Sequence, residues 1–306
     1  MRQSCISAVA LLVSVGVIDD RKGLSVKVRL FAEIASGLIM TEMADIKITD
    51  LGNLIGFGNI DLGIFSTPFT IFVTVGGINA FNMIDGIDGL SSGTTLIAVI
   101  TIALISWHAQ YWVLLYFCAI FVGAIIAFLL FNLPILGQKR SAIFLGDSGS
   151  TMLGFSVCWL VISVSQGQVN NITPSTVLWI IALPLFDSIC IMSRRLMRGQ
   201  SPFKPDREHL HHVLTQEGYS TNQTLVILLI FSVLLAVTGV TASVYFGVSQ
   251  HVLFLLFLFL FACYYWAINK RIKDRRKRNI SINFEDRRKT PDRRAKANKG
   301  NIVTQK

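Results

Sequence analysis

The sequence predicts an all-α integral membrane protein, a polytopic bundle of about nine transmembrane helices. Three observations predict it. Only 15% of the 306 residues are charged, against about 25% in soluble domains. Hydrophobic residues make up 52% of the chain, and mean hydropathy is +0.58. The apolar residues gather in runs, most of them near the roughly 20 residues that a helix needs to cross a bilayer.

The runs are residues 4–18, 28–44, 64–80, 90–107, 110–133, 149–166, 175–193, 223–247 and 250–269. The first is only about 15 residues long, too short for a full span. It lacks the basic region and small-residue cleavage site of a signal peptide. It reads as the cut end of a longer helix. The second is the least regular, with Arg29, Glu33 and Glu42 inside it. Glu33 reads there as a snorkelling side chain. The fourth and fifth are separated near Trp107–Trp112, a turn at the membrane interface where Trp and Tyr collect. His108 and His251 read as interface residues too. Asp187 in the seventh run reads as an interior polar anchor paired with a neighbouring helix. The five cysteines lie inside apolar runs with no CxxC or CxxH spacing. They read as small buried hydrophobes, not zinc ligands.

Charge orients the bundle. Residues 270–306 hold 15 of the 28 Lys+Arg and 4 of the 18 Asp+Glu, a net +11, which leaves −1 for the rest. A basic segment after a hydrophobic run reads as a cytoplasmic tail meeting anionic lipid, not as a nucleic-acid site. With the tail cytoplasmic, so are the connections 19–27, 81–89, 134–148 and 194–222. Counting Arg29 with the first, that face carries 26 of the 28 Lys+Arg. The N-terminus is then extracytoplasmic.

Nearly every unusual polar cluster falls in those four connections. The first holds "DDRKG", with Asp19 and Asp20 at a helix end. The second holds "NAFNMIDGIDGL", with Asn79, Asn82, Asp85 and Asp88 at spacings of three, neighbours on a helical turn. Oxygen donors of this kind suit Mg²⁺, held by one or two carboxylates plus substrate phosphates. Asp85 and Asp88 also read as helix caps. The third holds "FLGDSGS", where Asp147 suits a metal and the amides of a helix N-terminus suit a phosphate. The fourth holds "SPFKPDREHLHH", with Lys204, Arg207, His209, His211 and His212 as donors for a diphosphate. Three imidazoles also suit zinc, but the oxygen-rich neighbourhood favours an anion.

"VIDDR", "NAFNMIDGIDGL", "FLGDSGS" and "PDREHLHH", in this order, resemble the polyprenyl-phosphate N-acetylhexosamine-1-phosphate transferase family, and within it the WecA type. The resemblance covers residues from about 4 to about 270. It implies ten or eleven helices, a cytoplasmic active site in a bacterial inner membrane, and a place in cell-surface polysaccharide synthesis. It implies transfer of a sugar 1-phosphate, GlcNAc 1-phosphate by the closest match, from a UDP-sugar to a polyprenyl phosphate, with UMP released. Asn82 and Asp147 then match ligands of Mg²⁺, for which Mn²⁺ can substitute. Asp19 and Asp20 match the acidic pair near the lipid phosphate, and are the candidate catalytic residues. Asp85 and Asp88 match acids lining the nucleotide site, with Asn79 beside them. His209, His211 and His212 match the motif that contacts the donor diphosphate. The family's DDxxD pattern is broken by Gly23, and about two helices and a loop normally precede the point where this chain begins.

The resulting division is a transmembrane catalytic domain over 1–269 and a basic tail, disordered by composition, over 270–306. Two rivals stand beside it. A secondary transporter would string its acids along a path through the bilayer, whereas here they collect at one face. A catalytically incomplete fragment of the transferase would keep the motifs without turnover.

Overall fold

Every one of the nine apolar runs is helical. The computed structural model describes residues 2–133, 141–167, 172–202 and 208–289. Its helices are α1 (Arg2–Lys22), α2 (Val26–Leu38), α3 (Ser66–Ile84), α4 (Leu90–His108), α5 (Trp112–Asn132), α6 (Gly146–Gln166), α7 (Pro174–Ile180), α8 (Ala182–Met197), α9 (Leu210–Gln216), α10 (Thr221–Val244) and α11 (Gln250–Lys289). Among the described residues seven helices are long and apolar enough to cross a membrane, and α7 with α8 makes an eighth if the bent pair is one span. The only strand-like pairing among them is an isolated bridge between Asp50 and Asp61.

Three runs differ from the sequence reading. The first is longer: its span covers Gln3–Lys22, 20 residues, or about 30 Å at 1.5 Å per residue. It gains the polar turn over residues 19–22, whose Arg21 and Lys22 suit a helix C-terminus. The second is shorter: α2 has 13 residues and gives way to a π-helical turn at Ile39–Met43. The seventh is broken, with α7 and α8 meeting at 85°. Pro184 accounts for the break. It has no N–H to give the Ile180 carbonyl, and its ring crowds that oxygen.

α6 is the central helix of the first of two units, Met1–Ala262 and Cys263–Lys306. It packs against α1, α3 and α4, and 72% of its span is buried, against 22% for α5. Lipid offers no hydrophobic drive between helices, so small residues that let backbones approach do the work. A Cβ on Gly16 of α1 would overlap Ser148 Cα at the start of α6. The hydroxyls of Ser150, Thr151 and Ser156 turn back to their own helix's carbonyls. No polar atom of theirs is then left facing lipid. α10 packs on α4, α7 and α8, and its start carries a capping box between Ser220 and Gln223. At the Trp107–Trp112 turn the two indoles meet edge to face, 5.9 Å apart.

The second unit begins within α11, at Cys263. That helix runs through Lys289, into the segment read as disordered from 270. Lys and Arg are good helix formers, and Lys270 lies 5.0 Å over the Trp266 ring.

Candidate active site

The C-terminal ends of α1 and α3 meet the N-terminal end of α6. Asp19 is buried, and both of its oxygens are engaged. Oδ1 accepts from Leu24 N at 2.5 Å, and Oδ2 from Arg29 Nη1 at 3.1 Å. The same Arg29 nitrogen donates to Asp147 Oδ2 at 3.2 Å. One guanidinium therefore ties the acid of α1 to the acid of α6. Asp20 accepts from Asp147 N at 2.9 Å and from Ser148 Oγ at 3.0 Å. It caps α6, where carboxylate charge and unpaired N–H groups attract each other. Gly146, at φ +68°, makes the turn into the helix and leaves room for that carboxylate. The helix terminus read as a phosphate cradle is thus occupied by Asp20.

The "NAFNMIDGIDGL" stretch leaves α3 at Ile84 and enters α4 at Leu90. Asp85 is the C-cap residue of α3, as its capping reading has it. Burial, then the charges of Asp147 and Asp88, raise its pKa to about 7. Asp88 accepts from Ser141 Oγ at 2.8 Å. Asn132, at the end of α5, receives Gly89 N at 2.8 Å and gives Nδ2 to Ile143 O at 2.9 Å. That one side chain joins the second and third connections.

On the fourth connection, Asp187 is buried and paired across helices, in keeping with the anchor reading. Its Oδ1 accepts from Leu210 N at 2.9 Å, which fixes the start of α9, and its Oδ2 lies 2.9 Å from His209 Nδ1. A carboxylate holds Nδ1 as the donor, leaving Nε2 as the other ring atom. His211 is buried, and neither ring nitrogen has a hydrogen-bond partner among the described residues. Burial, with His212 beside it, lowers its pKa to about 4. A Cβ on Gly86 would overlap the His211 ring. His211 therefore packs α9 onto the α3–α4 connection, and His212 lies with its ring 4.2 Å away. Lys204 and Arg207 lie outside the described residues.

A cavity of about 300 Å³ opens between these elements, lined by Arg29, Glu33, Asn79, Asn82, Asp147, Thr151, Arg195 and His209 among others. It brings together two candidates from the second connection, Asn79 and Asn82, and one each from the third and fourth, Asp147 and His209, and reaches the first through Arg29. Asp19 and Asp20 stand behind its wall and hold Arg29 and Asp147. Among the described residues no three His, Cys, Asp or Glu converge as a metal cage. Asn82 and Asp147 share the cavity, and Asp85 carries the repulsion of two other carboxylates. The oxygens of Asn82 and Asp147 are of the kind that fits a hard cation taking its remaining ligands from substrate, with Arg29 already balancing one carboxylate.

Four residues of the site escaped the motifs. Arg29 and Glu33 are four apart on α2, a charged pair on one helical face inside an apolar run. Glu33 does not snorkel: it is buried and accepts from Asn79 Nδ2 at 2.6 Å. Arg195 is buried at the end of α8, donates to Pro202 O and lines the cavity. Asn132 had no signal beyond being an amide in an apolar helix.

Residues 3–165 match glycosyl transferase family 4. Three relatives are named undecaprenyl-phosphate alpha-N-acetylglucosaminyl 1-phosphate transferase. That of Escherichia coli O157:H7 is 38% identical over 283 residues, 90% of this chain and 77% of the relative. That of Salmonella typhi is 38% identical over 293 residues, 96% and 78% of the two chains. That of Haemophilus influenzae is 32% identical over 280 residues, 89% and 79%. With this match and this coverage, the chain belongs to glycosyl transferase family 4.

Proposed function

We propose that this chain transfers GlcNAc 1-phosphate from UDP-GlcNAc to polyprenyl (undecaprenyl) phosphate, giving polyprenyl-diphosphate-GlcNAc and UMP. The observation that carries the reading is the cavity at the ends of membrane-spanning helices, where Arg29, Arg195 and His209 face Asn79, Asn82 and Asp147. Such a wall offers donors for phosphate oxygens beside oxygen ligands for a cation, within reach of a lipid. The relatives' names support both the acceptor and the sugar.

One oxygen of the lipid phosphate attacks the phosphorus that bears the sugar. The bond from that phosphorus to the bridging oxygen breaks, and UMP departs with that oxygen. A phosphate monoester with a second pKa of about 6 is mostly dianionic at pH 7, so attack needs no strong base. Asp19 and Asp20 then act by position, Asp19 on Arg29 and Asp20 on the start of α6. Arg195 and His209, in the cavity lining, would then offset diphosphate charge. In this reading Asn82 and Asp147 hold Mg²⁺, or Mn²⁺ in its place. A bound metal would neutralise the diphosphate and stabilise the leaving group.

The cavity would face the cytoplasm from a bacterial inner membrane, the side on which 26 of 28 Lys+Arg fall. The tail, with its +11, would sit against anionic lipid.

The test is turnover by the purified chain in detergent with UDP-GlcNAc and undecaprenyl phosphate. The expected result is lipid-linked GlcNAc that forms only with the acceptor present and is lost in excess chelator. Asp147→Asn should cut the rate about a hundredfold, equivalent to about 3 kcal/mol of charge stabilisation. No lipid-linked sugar from the wild-type chain would overturn the reading, and full turnover in chelator would remove the metal from it.

A further inference from the structure

Glu33 belongs to no recognised motif, yet its carboxylate is buried in the wall of the cavity. Arg29, one turn earlier on α2, is committed to Asp19 and Asp147. The hydrogen bond of Glu33 is to Asn79, whose Nδ2 donates to Glu33 Oε2 at 2.6 Å and to Val75 O at 2.9 Å. A carboxamide nitrogen carries two hydrogens, and these two bonds use both. The Val75 carbonyl cannot donate in return, so the nitrogen lies toward it at either protonation state of Glu33, whose pKa burial raises to about 7. The flip of the amide is thereby decided by chemistry: nitrogen toward Glu33 and Val75, Oδ1 away from them. Asn79 lines the same cavity as Asn82 and Asp147.

We propose that Glu33 is a positioning residue that locks Asn79 so that Oδ1 serves the cavity as an acceptor for an N–H or O–H of the nucleotide sugar. This rests on the cavity's being the transfer site. Val75 O alone would leave the second hydrogen of Nδ2 unsatisfied and the amide held by a single bond. An inverted amide would turn N–H groups on a substrate donor. The pair thus acts on substrate through one flip, without Glu33 touching substrate itself.

The experiment measures kcat and KM for UDP-GlcNAc and for undecaprenyl phosphate across a set of variants, with melting temperature alongside. Glu33→Gln keeps an acceptor oxygen and should stay within about threefold of wild type, whereas Glu33→Leu should lose about tenfold or more in kcat/KM for UDP-GlcNAc. The acceptor's KM should hardly move. Asn79→Asp sets two carboxylates against each other and should be worse. Combining Asn79→Asp with Glu33→Gln restores a donor and an acceptor across that contact while the new carboxylate still meets Val75 O, and should recover about threefold over Asn79→Asp alone. A merely structural role predicts parallel losses for both substrates, a lower melting temperature and no recovery. Wild-type turnover with no recovery in the exchanged pair would overturn the inference alone. Absence of wild-type turnover would overturn the reading beneath it.

Discussion

At the scale of single residues, His211 is where burial leaves the plainest thermodynamic trace. Its imidazole is buried, unbonded among the described residues, and shifted down from 6.5 to about 4. Between those values the unfolded chain binds a proton that the folded chain refuses. Stability therefore falls as pH drops from about 6.5 toward 4, by up to about 1.4 kcal/mol per pH unit. Melting in detergent should fall more steeply between pH 7 and pH 5 for wild type than for His211→Phe. Equal slopes would contradict the assignment. The reading of His211 as a direct phosphate contact missed this because a sequence puts all three imidazoles on one list. Only packing separates His209, at the cavity with Asp187 behind it, from His211, pressed on Gly86. Asp19 and Asp20 teach the same lesson. Adjacent acids at a helix end were visible as candidates, but which oxygen meets Arg29 and which caps α6 depends on helices far apart in the chain.

At the scale of elements, the cap that Asp20 places on α6 requires α1 and α6 to lie close together. Gly16 allows that approach, since a Cβ there would overlap Ser148 Cα. Gly16→Val should pry the helices apart, at about 1–3 kcal/mol for overpacking. It should cost turnover as well as melting temperature, because Asp147 N and Ser148 Oγ lose Asp20. Gly76→Ala is the control, with nothing within 4 Å of the new Cβ. Purified variants that melt and turn over alike would refute the claim that this approach sets the site. Helix positions were legible from the apolar runs because lipid demands long uninterrupted hydrogen-bonded segments. Their ends were less so. The first run's helix continues beyond its apolar residues through 19–22, and the seventh bends just ahead of Pro184, a residue that reads as an ordinary interruption in an apolar string.

At the scale of the molecule, the motifs converge because alternate connections of a spanning bundle return to the same face. That rule, applied to Lys and Arg, gathers the four clusters from sequence alone. It did not reveal the contribution of α2, whose Arg29 and Glu33 enter the site from within an apolar run. On the proposed mechanism attack falls on phosphorus, so the sugar keeps its own anomeric oxygen. The direct measurement uses UDP-GlcNAc carrying ¹⁸O between the sugar carbon and its phosphorus, with the purified chain and undecaprenyl phosphate. The account predicts ¹⁸O retained in the lipid-linked product and unlabelled UMP released. Labelled UDP, with a product joined through an acceptor oxygen, would mean attack at the sugar carbon and would contradict it.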